Sequence, residues 1–299
     1  MIIVGCSASQ ALAKKLARKL HKKYHDLKVG SFPDGETHLK FSNNVNGRTV
    51  VLVQTLNNPN EKLIEILLAG HTAKDLGAKK VILVAPYLAY MRQDKRFHAG
   101  EAVSNRIIAK LFNVFDEIIT IDPHLHRIKS LREIFKMPAY ALTANSLIAA
   151  YIRKNIQNAV VVGPDAESYQ WALNVAKLAG CKAIVLKKKR YNSKNVSIKL
   201  HDPAVVRGKN VIIVDDIIST GHTMMETVRQ IRQAKAKNIY CMCVHGVFAD
   251  NALLKLRKLG AKVISTNTIE NPTAKIDTSG LIMQAFTGFK NRRTKNNKG

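Results

Sequence analysis

The sequence predicts an α/β protein of two tandem related domains, each a mostly parallel sheet flanked by helices. Three observations carry this. Apolar runs of strand length alternate with segments of helical period along the whole chain, the pattern of βαβ units. A stretch of the first half recurs in the second. Polar and small-residue motifs follow the predicted strands, on the edge where open parallel sheets hold ligands.

The elements follow in order. Met1-Ile2-Ile3-Val4-Gly5 reads as the first strand, and further strands are predicted at 27–32, 49–54, 80–86, 116–121, 159–163, 182–187, 209–215, 239–245 and 262–266. Helical periodicity predicts helices at 8–23, 59–76, 101–113, 143–155, 168–179, 222–235, 250–259 and 279–287. The repeat pairs Gly47-Arg48-Thr49-Val50-Val51-Leu52-Val53-Gln54-Thr55 with Gly208-Lys209-Asn210-Val211-Ile212-Ile213-Val214-Asp215-Asp216. It then pairs Ala78-Lys79-Lys80-Val81-Ile82-Leu83-Val84 with Ala236-Lys237-Asn238-Ile239-Tyr240-Cys241-Met242. The expected division is 1–142, 143–285 and a basic tail, 286–299, without structure.

Composition narrows the class. The 299 residues are 46% hydrophobic, enough for about two domains with real cores. Cys6, Cys181, Cys241 and Cys243 have no disulfide or zinc spacing. Cys241 and Cys243 share one face of an apolar strand and read as buried thiols. Low cysteine use fits a reducing compartment, so a cytoplasmic location is expected. The N-terminal residues lack a basic n-region with a long apolar core, so no signal peptide is expected, and no apolar stretch is long enough to span a bilayer. The net charge of +27 draws part of its excess from Lys290, Arg292, Arg293, Lys295 and Lys298. Such charge attracts nucleic acid at most nonspecifically, and it suits multiply phosphorylated small substrates.

The most informative run is Val211-Ile212-Ile213-Val214-Asp215-Asp216-Ile217-Ile218-Ser219-Thr220-Gly221-His222-Thr223. An apolar strand ends in two carboxylates, and a small-residue loop opens a helix. The carboxylates can accept hydrogen bonds from vicinal ribose hydroxyls. The loop and helix N-terminus offer N–H groups and hydroxyls to a phosphate. The first-half copy has Gln54-Thr55 instead, so the sugar-phosphate site is expected only in the second.

Other motifs follow other strands: Phe32-Pro33-Asp34-Gly35-Glu36, Arg92-Gln93-Asp94-Lys95-Arg96, Asp122-Pro123-His124, Gly163-Pro164-Asp165 and Lys187-Lys188-Lys189-Arg190. Taken singly, each has an ordinary explanation as a turn, a helix cap or a solvated basic run. Taken together, in this order, they resemble the ribose-phosphate diphosphokinase (phosphoribosyl-pyrophosphate synthetase) family over residues 1–285, built on the type I phosphoribosyltransferase-like fold.

The resemblance implies two phosphoribosyltransferase-like domains, the first with a degenerate sugar site. It implies Mg²⁺-dependent transfer of the diphosphoryl group of ATP to O1 of ribose 5-phosphate, giving 5-phosphoribosyl 1-diphosphate and AMP for nucleotide biosynthesis. Asp215 and Asp216 would bind the ribose hydroxyls, and Ser219, Thr220, Gly221, His222 and Thr223 the 5-phosphate. Arg92 and Gln93 would bind ATP. Phe32, Asp34, Gly35 and Glu36 would form an adenine pocket supplied by a neighbouring subunit, so a homo-oligomer, at least a dimer, is expected. His124 and Asp165 would lie at magnesium sites. Lys188 and Arg190 would bridge the reacting phosphates, Arg190 also holding the sugar phosphate, with Lys187 an alternative register. Asp94 to Ser104, with Lys95, Arg96, His98 and Gly100, would form a lid.

Two departures stand out: Glu167-Ser168 where the family has Gly-Gly, and His222 where Gly is common. Other readings are a catalytically silent regulatory homologue, a base-transferring phosphoribosyltransferase and a nucleic-acid binder. The first should lack Asp215 or the basic pair, the second has no use for Phe32–Glu36 and Arg92–Asp94, and the third rests on charge alone.

Overall fold

The computed structural model describes residues 1–125, 127–165, 168–185, 187–190, 196–199 and 203–296. The chain divides into two compact units, one of Met1–Leu142 with the chain from Thr278 onward, the other Thr143–Asp277.

The first unit comprises β1 (Ile2–Gly5), α1 (Gln10–Lys19), β2 (Lys23–Ser31), β3 (Thr37–Phe41), β4 (Thr49–Val53), α2 (Pro59–Asp75), β5 (Lys80–Ala85), α3 (Ser104–Leu111), β6 (Glu117–Ile121) and β7 (Ala139–Leu142). Its sheet runs β3-β2-β1-β4-β5-β6-β7. Every pairing is parallel except β2 with β3. Val50 to Val53 and Val81 to Val84 are buried on both faces, as central parallel strands must be. Leu83 and Phe112 are completely buried there. Replacing Leu83 by Ala should cost about 2–5 kcal/mol in urea unfolding. A loss below about 1 kcal/mol would contradict this packing.

The second unit comprises α4 (Asn145–Asn155), β8 (Ala159–Gly163), α5 (Tyr169–Ala179), β9 (Lys182–Val185), β10 (Lys187–Arg190), β11 (Val196–Lys199), β12 (Asn210–Ile218), α6 (His222–Gln233), β13 (Asn238–Gly246), α7 (Ala252–Lys258), β14 (Lys262–Thr266) and β15 (Ala274–Ile276). Its main sheet, order β15-β14-β13-β12-β8-β9, is wholly parallel, and β10 and β11 form a separate antiparallel pair. Met224, Met225, Val228 and Ile231 line one face of α6 and close the core over β12 and β13.

The two sheets have one topology. Taken in chain order, β1, β2, β4, β5, β6 and β7 occupy the positions of β8, β9, β12, β13, β14 and β15. The sequence repeat had paired β4 with β12 and β5 with β13, the centre of each sheet. Differences from the sequence reading lie at the edges. β3, β7 and β15 are edge strands of three to five residues, too short for a periodic signal. The first helix stops at Lys19, where His21 takes a left-handed φ of 51°, and Lys23 already begins β2.

Helix α8 (Ser279–Asn296) is the largest correction. The sequence reading counted residues to 285 with the second domain and left 286–299 without structure. Instead α8 packs on α1 and β7 of the first unit. Ile282 is completely buried and Ala285 nearly so, an apolar stripe that docks the helix and carries it beyond 285.

Candidate active site

In the second unit, β12 runs three residues beyond the predicted 215, so both carboxylates lie within the strand rather than at its end. Asp215 pairs in register with Cys243 of β13. Burial, then the charges of Asp216 and Asp165, push the Asp215 carboxyl well above the usual carboxylate range. The Asp216 N–H donates to Asp215 Oδ1 at 3.0 Å. Three acidic side chains, two within β12 and one just after β8, thus share one field.

Asp165 is fixed by a reciprocal turn. The Ser168 N–H donates to Asp165 Oδ1 at 2.9 Å, Ser168 Oγ donates to the Asp165 carbonyl at 3.1 Å, and the Asp165 N–H donates to Ser168 Oγ at 3.2 Å. The Ser168 departure therefore uses its side chain to hold Asp165; Glu167 lies outside the described residues.

The loop after β12 ends at Gly221, the N-cap of α6, with a left-handed φ of 72°. Added as a side chain, its Cβ would stand 3.3 Å from Ala252 Cβ. No side chain caps α6, so its first-turn N–H groups face the loop as an anion cradle. Ser219, Thr220 and Thr223 are half-buried, and the exposed His222 turns Nδ1 to within 3.0 Å of Thr220 Oγ1. His222 is thus accommodated by its neighbour's hydroxyl. Lys188 and Arg190 lie in β10, paired with Ile198 and Val196 of β11; their side chains lie outside what is described.

In the first unit, Phe32–Glu36 is the turn of the β2–β3 hairpin, closed by the Phe32 N–H donating to the Glu36 carbonyl at 2.8 Å. Gly35 has φ 95°, the Glu36 N–H donates to Asp34 Oδ1 at 3.3 Å, and Phe32 is 52% exposed, tilted against His38. The turn reading and the aromatic-and-acid motif are one object: a tight hairpin presenting Phe32, Asp34 and Glu36 outward.

Arg92 and Gln93 follow β5. Ser104 Oγ donates to Gln93 Oε1 at 3.0 Å, and Asp94 forms an ion pair with Arg127 at 2.9 Å. Glu101 gathers the loop between them. Its Oε2 accepts from the Phe97 and His98 N–H groups at 2.9 and 3.1 Å, and its carbonyl accepts from Arg96 Nε at 3.0 Å. His124 follows β6 with a left-handed φ of 56°, its N–H donating to the Asp122 carbonyl at 2.9 Å.

The first unit's equivalent of the sugar site is filled by its own side chains. Gln54, aligned with Asp215, accepts the Ala8 N–H at Oε1 (2.9 Å) and donates from Nε2 to Glu65 Oε2 at 2.8 Å. Glu65, from α2, also accepts the Ser7 N–H at 2.9 Å and the Ser7 hydroxyl at 2.5 Å. Sequence reasoning missed Glu65, Glu101 and Arg127, and it noted Ser168 without its bonds to Asp165. The one available signal was that Glu101 is the sole acid between Asp94 and Asp116 in a basic stretch.

A doubled parallel-sheet unit, with an acidic pair and a hydroxyl-rich loop at the N-terminus of a helix in one copy, defines a protein of the phosphoribosyltransferase class. Residues 130–279 match the phosphoribosyl transferase domain, and residues 1–115 match the N-terminal domain of ribose phosphate pyrophosphokinase. The ribose-phosphate pyrophosphokinase of Methanothermobacter thermautotrophicus is 36% identical over 284 residues, 94% of this chain and 98% of that one. That of Methanosarcina mazei is 36% identical over 289 residues, 96% of this chain and 95% of its own. The crystal structure of phosphoribosylpyrophosphate synthetase from Mycobacterium smegmatis aligns with a TM-score of 0.83 at 26% identity, covering 97% of this chain and 99% of that one. The chain belongs to the ribose-phosphate pyrophosphokinase (ribose-phosphate diphosphokinase) family.

Proposed function

We infer that the protein is a ribose-phosphate diphosphokinase, transferring the diphosphoryl group of ATP to O1 of ribose 5-phosphate and releasing AMP. The observation that carries this is the second unit's pairing of Asp215 and Asp216 with the Ser219–Thr223 loop at the start of a 12-residue helix, in a chain of this family.

The residues divide the work. Asp215 and Asp216 accept from the ribose 2- and 3-hydroxyls and orient the sugar. Ser219, Thr220, Gly221, His222 and Thr223 hold the 5-phosphate, anchoring O1 for in-line attack on the β-phosphorus. Arg92 grips ATP phosphates as a fork, with Gln93 beside it. Phe32, Asp34, Gly35 and Glu36 receive the adenine ring of a nucleotide bound by a neighbouring copy; an outward-facing hairpin suits that, so the working form is a homo-oligomer, at least a dimer. Lys188 and Arg190 neutralise charge passing to the departing AMP oxygen, in a reaction that needs positioning more than covalent help. Asp94 to Ser104 closes as a lid that excludes water.

Mg²⁺ is the fitting cofactor. Asp165, with Asp215 and Asp216 in its field, offers hard oxygen donors, and His124 would complete a second site. Among the described residues no three His, Cys, Asp or Glu side chains form a metal cage, which suits an ion that keeps waters and shares substrate phosphates. The ion would screen phosphate charge and orient the β-phosphorus. Among the described residues no helix is long and apolar enough to cross a membrane. Cys6, Cys241 and Cys243 are free and buried, which suits a cytoplasmic setting, and binding of nucleic acid by the basic surface would be nonspecific.

The test is AMP formation from ATP and Mg²⁺, with and without ribose 5-phosphate, for wild type and Lys188→Ala. Sugar-dependent AMP release, lost by at least roughly a hundredfold in the variant, supports both the reaction and the register of the basic run. Full activity in Lys188→Ala moves the role to Lys187. Binding of both substrates without AMP would identify a catalytically silent homologue, and ADP in place of AMP would refute the β-phosphorus assignment.

A further inference from the structure

We propose that Arg127 is a positioning residue for the nucleotide: it ties the segment after β6 to the Arg92–Gln93–Asp94 segment after β5, and so fixes where Arg92 and Gln93 meet ATP. The proposal rests on the reading of that segment as nucleotide-binding.

The ion pair is unequal. Asp94's side chain is 5% exposed and Arg127's 46%, with Nη1 to Oδ1 at 2.9 Å. A carboxylate so covered requires a partner charge, and Arg127 reaches in to supply it. The same guanidinium lies over the Phe97 ring, 5.5 Å from its centroid, with Lys95 Nζ 5.3 Å from that ring. Arg127 therefore holds the loop at two points, Asp94 and Phe97. Glu101 holds it at Phe97 and His98, and Ser104 holds Gln93. Upstream, Met91 is buried in the core. Arg92 and Gln93 thus stand between an anchored Met91 and a clamped Asp94, with little freedom left to their backbone.

Arg127 lies three residues after His124. One ion pair therefore fixes the segment after β5 against the segment that carries a candidate metal ligand. Both of Arg127's partners are protein groups, so its effect on ATP passes through Asp94 and Phe97. A planar, delocalised cation serves both partners; a lysine could keep the ion pair and would lose most of the ring contact.

The experiment compares wild type, Arg127→Ala, Arg127→Lys, Asp94→Asn and the Arg127→Ala/Asp94→Asn double variant. It reads ATP dissociation constants by calorimetry, and KM for ATP and for ribose 5-phosphate in the AMP assay. Arg127→Ala should raise both the dissociation constant and KM for ATP roughly tenfold, leave KM for ribose 5-phosphate unchanged, and lower the melting temperature by leaving the covered Asp94 carboxylate unpaired, a loss that Asp94→Asn in the double variant should partly restore. Arg127→Lys should fall between. The double variant should be no worse than the worse single, because both remove one interaction. Unchanged ATP affinity in Arg127→Ala, an equal rise in both KM values, or additive losses in the double variant would each overturn the proposal. If wild type binds ATP yet forms no AMP, the assigned reaction fails while the binding arm still decides the role of Arg127. If wild type binds no ATP, the proposal is overturned too.

Discussion

Replacing Asp215 by Asn should cut AMP formation by at least roughly a hundredfold and, in the same molecule, raise the melting temperature at neutral pH. The first effect follows from putting an amide NH2, which can only donate, where a carboxyl oxygen would accept from a sugar hydroxyl, so that hydrogen bond is lost and its partner is left unpaired at a cost of about 1–3 kcal/mol. The second follows from the electrostatics of the free protein. Burial, Asp216 and Asp165 all hold the Asp215 carboxyl toward its protonated form. The unfolded chain loses that proton in the ordinary carboxylate range, while the folded chain keeps it to higher pH. Over that interval the folded state binds more protons, so stability falls as pH rises. Asn mimics the neutral acid and escapes the penalty. The gain should therefore be largest near neutrality and vanish as pH drops below about 4, where both states are protonated. Melting curves at a series of pH values check this. A lower melting temperature in the variant, or a gain independent of pH, would show that the charge is not what strains the site.

What the sequence disclosed and what it hid differ in range. The centre of each sheet was legible because buried parallel strands are continuous apolar runs, as in Val50 to Val53 and Val211 to Val214. The strand, loop and helix of residues 210–233 were legible because the apolar run, carboxylates, hydroxyls and helix start are contiguous. The acidic pair's field was only half legible: Asp165 acts on Asp215 from the turn after β8. The rest depends on partners far apart in sequence. Glu65 looks like one more polar residue of a helix until Ser7, 58 residues away, and Gln54 close around it. Arg127 and Asp94 are 33 residues apart. The return of α8 to the first unit has the same cause: its apolar stripe is visible in the sequence, and the surface it covers is not. Ser168 runs the other way. It was flagged as a departure from the family pattern, and its bonds to Asp165 turn that departure into a support for the acidic site.

A comparison of two glycines should isolate the phosphate loop. Gly221 and Gly180 both adopt left-handed backbone, with φ of 72° and 69°. Alanine at either position pays a similar conformational cost, about 1–2 kcal/mol. Their surroundings differ. A Cβ on Gly180, at the C-terminus of α5, meets nothing within 4 Å, whereas one on Gly221 stands 3.3 Å from Ala252 Cβ and 3.7 Å from Ile218 Cγ2. Ala252 begins α7 and is completely buried, so it cannot easily yield. The backbone at Gly221 must yield instead, and Ser219 to Thr223 move with it. Gly221→Ala should therefore raise KM for ribose 5-phosphate roughly tenfold or more, because phosphate N–H bonds depend on sub-ångström placement. Gly180→Ala should lose comparable stability with KM unchanged. Equal kinetic effects would assign the loss at Gly221 to stability alone. An unchanged sugar KM in Gly221→Ala would mean that the loop does not hold the phosphate, and the role of β12 would then rest on its carboxylates.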